Sequence, residues 1–160
     1  MAHESILIAI SQIAIALTGF TGVVAILGHR NQGTWTPAER LQLRTLVETS
    51  LTAMFASLTP FILVLLINSD ANAWRVANLI LGSLHASNFI AFGLRTRRAP
   101  STLGQKVMLI IGIITICAHF LAALSVVTLY ELVFIGGLLQ QLLVAVHNFV
   151  LLLFPIEDLS

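Results

Sequence analysis

Three histidines and one glutamate are the residues of this chain whose types could do chemistry, because each lies inside a long apolar stretch. His85, His119 and His147 fall one each in the third, fourth and fifth stretches, and Glu48 lies in the second. An imidazole changes its protonation near neutral pH and is a good metal ligand, and a carboxylate in an apolar stretch can bind a proton or a cation. These residue types point to movement of a proton or ion, or to a bound cofactor.

Uncharged polar side chains extend this pattern along the same stretches. Thr52 follows Glu48 by four residues, and Gln140 precedes His147 by seven, so the members of each pair fall on one side of a helix. We therefore predict a transport path formed by Glu48, Thr52, His85, Asn88, His119, Gln140 and His147.

His85 and His119 also permit a cofactor hypothesis. Counted at about 1.5 Å per residue from the ends of their stretches, both lie near mid-membrane, within about 5 Å of one level. Two such imidazoles could ligate haem iron from opposite faces, with space at Gly82 and Gly112, or bind another metal that the sequence does not identify. The simpler interpretation is that they hydrogen-bond to polar side chains of neighbouring helices.

Glu48 has a simpler interpretation as well. Arg44 precedes it by four residues, so the two side chains share a helix face near the end of the apolar stretch. A hydrated ion pair with Arg44 would account for Glu48 without any role in transport.

The elements that must position these residues are transmembrane helices. Hydrophobic residues make up 58% of the 160 residues and charged residues only 9%, which leaves too little polar surface to cover a water-soluble globule. A helix needs about 20 apolar residues to cross the hydrocarbon core. Five stretches satisfy this, at 6–27, 46–67, 74–94, 107–129 and 132–154. We predict an all-α, polytopic transmembrane bundle of five helices that occupies residues 1–160 as a single domain.

Basic residues predict the orientation of the bundle. Of the eight Lys and Arg residues, seven follow the first or third stretch, and only Arg75 lies elsewhere. Loops rich in Lys and Arg stay on the cytoplasmic side, so the N-terminus should lie outside and the C-terminus inside. A bacterial inner membrane is the expected location.

Local signals place some helix ends. Thr36 and Glu39 form a capping-box pattern around Pro37, which predicts a second helix over 37–68 with a bend at Pro60. Thr102 opens a similar pattern before the fourth helix, and Pro155 should end the fifth. We place the break between the fourth and fifth helices at Tyr130–Glu131.

The opening of the chain resembles a group of small bacterial proteins. The residues that carry the resemblance are the segments 11–14 and 19–24, followed by Trp35, Glu39 and Arg40. Small multi-span inner-membrane proteins of bacteria, with no assigned activity, are similar in this region. The resemblance covers roughly the N-terminal third and implies no function.

These features favour a small channel or transporter for an ion or proton, formed by a homo-oligomer because one copy has limited room for an internal path. Two alternatives stay open: a haem-binding electron-transfer or anchor subunit using His85 and His119, and a non-catalytic subunit or assembly factor of a larger membrane complex. The single Cys117 and the lack of a phosphate-binding loop or metalloprotease motif favour a non-enzymatic role. The expected partners are lipid and membrane protein, not nucleic acid.

Overall fold

The described residues form five long helices, as the apolar stretches predict. The computed structural model describes residues 2–32, 35–96 and 103–153, with the side chains of 2, 27–32 and 103 left out. The helices are α1 (Ala2–Gln32), α2 (Pro37–Leu66), α3 (Asp70–Thr96), α4 (Leu103–Ala123) and α5 (Tyr130–Leu153). Each is long and apolar enough to cross a membrane.

Large apolar side chains point outward from every helix of the bundle. Leu65 of α2 is 85% exposed, and Ile26, Ile90, Ile114 and Leu132 are each more than 60% exposed on the other four helices. A surface of this kind is stable against acyl chains and unstable against water. The chain therefore has the architecture of an integral membrane protein.

Contacts between helix ends show that consecutive helices along the chain alternate in direction. His3 Nε2 near the start of α1 lies 2.6 Å from Glu131 Oε2 near the start of α5. Arg75 near the start of α3 donates from Nε to the carbonyl of Ala123, the last residue of α4. We call this the outer end of the bundle. The other end, where α1 and α3 finish and α2 and α4 begin, carries Arg40, Arg44, Arg95 and Lys106, and we call it the basic end.

α5 is the central helix. It contacts each of the other four helices, whereas α1 packs against α2 and α5 alone among the described helices. Buried Phe134, Gly137, Gln141 and Asn148 lie along it, so polar residues on two sides of α5 meet protein. The sequence of α5 contains two polar stripes about 100° apart, Gln140 with His147 and Gln141 with Asn148, and both therefore have a packing reason within one copy.

The apolar core occupies the outer half of the bundle. Leu7 and Ile10 of α1, Ala53 of α2, Leu81 of α3 and Phe134 of α5 are all buried there. The Trp74 ring packs edge-on against Phe134, with centroids 5.6 Å apart. This packed layer separates the outer end from the polar residues described below.

The start of α2 is confirmed as a capping box. Glu39 N donates to Thr36 Oγ1, and Thr36 N donates to Glu39 Oε2 at 2.7 Å. α2 ends at Leu66, two residues before the predicted end, and Pro60 lies inside it. Thr102 and Pro155 lie outside the described residues.

The end of α4 differs from the sequence prediction. α4 stops at Ala123 and not at Leu129, and residues 124–129 form the connection to α5. Ser125 has a φ of 62°, and Val126 N donates to Leu121 O while Ser125 N donates to Ala122 O. This is a Schellman motif with serine in the position that usually holds glycine, so no Gly or Pro marks the helix end in the sequence.

Candidate functional site

A cavity lies between α2, α3, α4 and α5 in the half of the bundle nearer the basic end, and most of the surface that faces it is apolar although many polar residues contribute to its lining. Its volume is about 80 Å³, enough to hold water. Five residues of the predicted path line it: Glu48, His85, Asn88, Gln140 and His147. The spacing of polar residues along separate helices thus brings most of the predicted path together in one place.

Five further polar residues belong to the lining: Thr45, Thr49, Gln105, Gln141 and Asn148. On α2, Thr45 lies about one turn before Glu48 and Thr49 directly follows it, and Gln141 and Asn148 each adjoin a predicted residue on α5. Thr45 and Thr49 escaped prediction because threonine is common on packed membrane helices, where its hydroxyl bonds to its own helix. Thr49 does so, donating to Thr45 O at 2.8 Å.

Several buried polar atoms close to this cavity have no hydrogen-bond partner in the protein. Within the described part of the chain, seven buried side-chain nitrogen or oxygen atoms have no protein hydrogen-bond partner. Five of them belong to residues that line the cavity: Thr45 Oγ1, His85 Nδ1, Gln140 Oε1, Gln141 Nε2 and His147 Nε2. Each such atom costs about 1–3 kcal/mol. All five are fully covered, so they belong to the packed wall of the cavity and do not face its interior.

Glu48 lies at the basic end of the cavity in a network of charged groups. Arg44 Nε lies 2.6 Å from Glu48 Oε1, and Arg95 on α3 donates from Nη1 to Glu48 Oε2 at 2.9 Å. Arg95 Nη2 also reaches Oε1 at 3.3 Å. The ion pair with Arg44 is the contact that the simpler interpretation of Glu48 predicts from the sequence. The bond to Arg95 adds a link between α2 and α3 that sequence spacing cannot predict.

Thr52 supports the cavity wall from behind. Its hydroxyl donates to Glu48 O at 2.7 Å and accepts a hydrogen bond from Asn88 Nδ2 at 3.1 Å. Thr52 thereby fixes the side chain of Asn88, which lines the cavity, while Thr52 itself is not among the lining residues.

His119 lies apart from the cavity, fully buried between α3 and α5. Its Nδ1 is 2.9 Å from Asn78 Oδ1. A Cβ added at Gly82 would come within 2.8 Å of the His119 Cβ, and one added at Gly137 would overlap the imidazole at Nε2. His119 therefore occupies a slot that exists because both neighbouring helices have glycine there.

The surroundings of His119 do not fit the haem hypothesis. The rings of His85 and His119 are close, with centroids 6.3 Å apart. However, Asn78 occupies Nδ1 of His119 and the backbone of Gly137 packs against Nε2, which leaves neither nitrogen open toward a macrocycle. The interhelical hydrogen-bond interpretation describes His119. Among the described residues, no three His, Cys, Asp or Glu side chains come together as a metal site requires.

Comparison with known proteins adds no family assignment. No protein-family model, no curated protein and no solved structure matches the chain. The function of the protein must therefore be inferred from the geometry of the chain itself.

Proposed function

We propose that the protein is a small membrane transporter for an ion or proton and that the cavity at the basic end is its binding site. The observation that carries this proposal is that Glu48, His85 and His147, from three different helices, line one cavity inside the bundle. Ionisable side chains are costly inside a membrane, and their convergence is typical of a path or binding site for an ion or proton.

A transporter is favoured over an open channel because, among the described residues, packed apolar side chains lie between the cavity and the outer end. The apolar core around Leu81 and Phe134 fills that half of the bundle. Beside it, the amide of Asn78 bonds to His119 and to the backbone carbonyl of Tyr130. A site that is closed on one side is typical of alternating access, in which helices move to expose it to each side in turn.

α3 is the helix best placed to move in such a cycle. At its basic end Arg95 binds Glu48 of α2, and near its outer end Asn78 binds His119 of α4 and Tyr130 of α5. Opening the outer end requires the Asn78 bonds to break, and closing the cavity requires α3 to approach α2 and α5 near Arg95. The two sets of bonds are about 17 residues apart along α3, or roughly 26 Å.

The proposal includes the N-out orientation in a bacterial inner membrane, which makes the basic end cytoplasmic. A second copy is not needed to bury the polar stripes, because α5 meets the other four helices within one chain. The homo-oligomer stays a prediction, and chemical crosslinking in native membranes would test it.

A flux assay in liposomes tests the transport function. Wild-type protein should move a proton or an ion down an imposed gradient, and Glu48→Gln and His147→Ala should each reduce the rate. Ser83→Ala is the matched control, because Ser83 is exposed and its hydroxyl bonds only to Leu79 O of its own helix. The proposal fails if the wild-type protein supports no flux under any gradient.

A further inference from the structure

We infer that the protein forms a parallel dimer through the exposed side of α1, so that α1 of a second copy covers this side. The inference concerns a surface separate from the cavity and does not depend on the transport function. It rests on Gln12, a polar residue of α1 that is exposed and not packed inside the bundle.

Gln12 is exposed at a depth where acyl chains surround the helix. The candidate span of α1 runs from His3 to Ile26, and at about 1.5 Å per residue Gln12 lies roughly 14 Å from its outer end, near the middle of a core about 30 Å thick. Among the described residues, the other Asn and Gln side chains near the middle of a span are buried or half-buried. The Gln12 amide has no hydrogen-bond partner among the described residues. An amide in lipid without such a partner is unfavourable.

Exposed hydroxyl groups on the other helices do not create the same problem. Ser83 on α3 is exposed too, but its hydroxyl donates to the carbonyl of Leu79 in its own helix at 2.8 Å. Serine and threonine are commonly satisfied in this way. The Gln12 amide makes no such bond, so its partner has to come from another molecule.

The exposed residues on either side of Gln12 have the spacing of two helices that pack together. A line of exposed residues follows α1 at alternating steps of four and three residues: Ile8, Gln12, Ile15, Gly19, Gly22 and Ile26. We call this line the α1 seam. Its spacing is the heptad repeat at which two helices pack side by side with a left-handed crossing. The buried residues Leu7, Ile10 and Ala14 lie on the other side of α1, which packs against α2 and α5.

The two glycines of the α1 seam are not required for packing within one copy. A Cβ added at Gly19 or Gly22 would meet nothing within 4 Å. This distinguishes them from Gly82 and Gly137, where an added Cβ would collide with His119. Without side chains at Gly19 and Gly22, the backbone of a second helix can approach α1 closely, which is how membrane helices commonly associate.

Charge complementarity favours α1 of a second copy as the partner helix. A carboxamide has a partly positive NH₂ group and a partly negative oxygen, so two of them can bond to each other reciprocally. All copies insert in the same direction, so a two-fold axis along the membrane normal makes their α1 helices parallel and brings both Gln12 residues to one depth. In coiled coils, a single amide at a core position of the heptad specifies the register and the number of strands.

Disulfide crosslinking in native membranes tests the position of the interface. With Cys117 replaced by alanine, Ile8→Cys and Ile15→Cys should each give a species with the mass of two copies on oxidation. Ile6→Cys and Ile13→Cys are matched controls, because both residues are exposed and lie at least about 100° around the helix from the α1 seam. Equal yields at all four positions, no two-copy species, or crosslinks to a different protein alone would each overturn the inference.

Resonance energy transfer between labelled copies in liposomes, measured as lipid is added, tests the role of Gln12. Gln12→Leu should weaken self-association by about tenfold, because leucine fills a similar volume and lacks the amide. Gln12→Asn keeps an amide and should retain most of the association. Gly19→Ile should also weaken it while each copy stays folded, since a side chain there has free space within one copy. Energy transfer that is unchanged in both Gln12→Leu and Gly19→Ile would overturn the inference.

The dimer and the transport function can fail separately. The α1 seam contributes no residue to the lining of the cavity. Flux by a protein that shows no energy transfer at any lipid ratio would overturn the dimer alone. A dimer that supports no flux of any ion would overturn the transport function and leave this inference standing.

Discussion

The Nδ1 atom of His119 donates its hydrogen to Oδ1 of Asn78 across 2.9 Å. The contacts of the other Asn78 amide atom, Nδ2, determine that His119 is the donor. Asn78 Nδ2 lies 2.9 Å from both Trp74 O and Tyr130 O, which can only accept. The atom facing His119 must therefore be the amide oxygen, and the neutral imidazole must carry its hydrogen on Nδ1. One asparagine thus joins α3, α4 and α5.

The first prediction concerns this tautomer. In protein labelled with ¹⁵N-histidine and reconstituted in lipid, the His119 signals should show a protonated Nδ1 and an unprotonated Nε2. Asn78→Leu should abolish that preference and lower the free energy of unfolding by about 1–3 kcal/mol, because Nδ1 of His119 loses its buried partner. Ser83→Ala, on the exposed side of the same helix, should leave both measurements unchanged. A protonated Nε2 in the wild type would contradict the assignment.

The second prediction compares two adjacent glycines of α5. Gly137→Ala should destabilise the protein by about 1–3 kcal/mol, because the new methyl group would overlap the imidazole of His119. Gly136→Ala should be neutral or stabilising by up to about 1 kcal/mol, since a Cβ at Gly136 meets nothing within 4 Å and alanine favours the helix. Unfolding in mixed detergent measures both.

A double variant completes this test. His119→Ala removes the side chain that a Cβ at Gly137 would strike, so Gly137→Ala should cost much less in that background. Equal costs in the two backgrounds would show that the glycine is needed for some other reason.

The helices and most of the site could be predicted from the sequence because they depend on local patterns. Apolar length determines where a helix crosses the membrane, and the spacing of Gln140 and His147 puts both on one face. Glycines at positions 82 and 137 are visible in the sequence too, although their joint contact with His119 is not. The separation of His119 from the cavity depends on helix rotation and on the Asn78 amide, which no single stretch specifies.

Partners on different helices account for most of what the sequence could not predict. Arg95 is 47 residues from Glu48. The sequence already explains each of them locally, Glu48 as a partner of Arg44 and Arg95 as one of the basic residues that follow the third apolar stretch. Arg75 looks like an exception to the distribution of basic residues, yet its guanidinium satisfies the final carbonyl of α4. Such pairs form only when whole helices pack together, so the sequence of each helix alone does not predict them.

The third prediction tests the unusual end of α4. Ser125 has a positive φ that costs an L-residue energy and costs glycine little, so Ser125→Gly should stabilise the protein by about 0.5–1 kcal/mol. The same replacement at Ser83, inside α3, should destabilise by about 1 kcal/mol. Opposite signs for one chemical change would locate the helix end at Ala123. A loss of stability at both positions would instead favour a longer α4, as the apolar stretch to Leu129 suggests.

The fourth prediction concerns the orientation of the bundle and hence the direction in which the cavity opens. Ala38 at the basic end and Ala71 at the outer end are both exposed, so cysteine at either position should leave the fold intact. With Cys117 replaced by alanine, a membrane-impermeant thiol reagent added to intact cells should label Ala71→Cys, and Ala38→Cys should react only after the membrane is opened. The reverse pattern would place Glu48 and its arginines on the outside, and the proposed transporter would then present an outward-facing cavity.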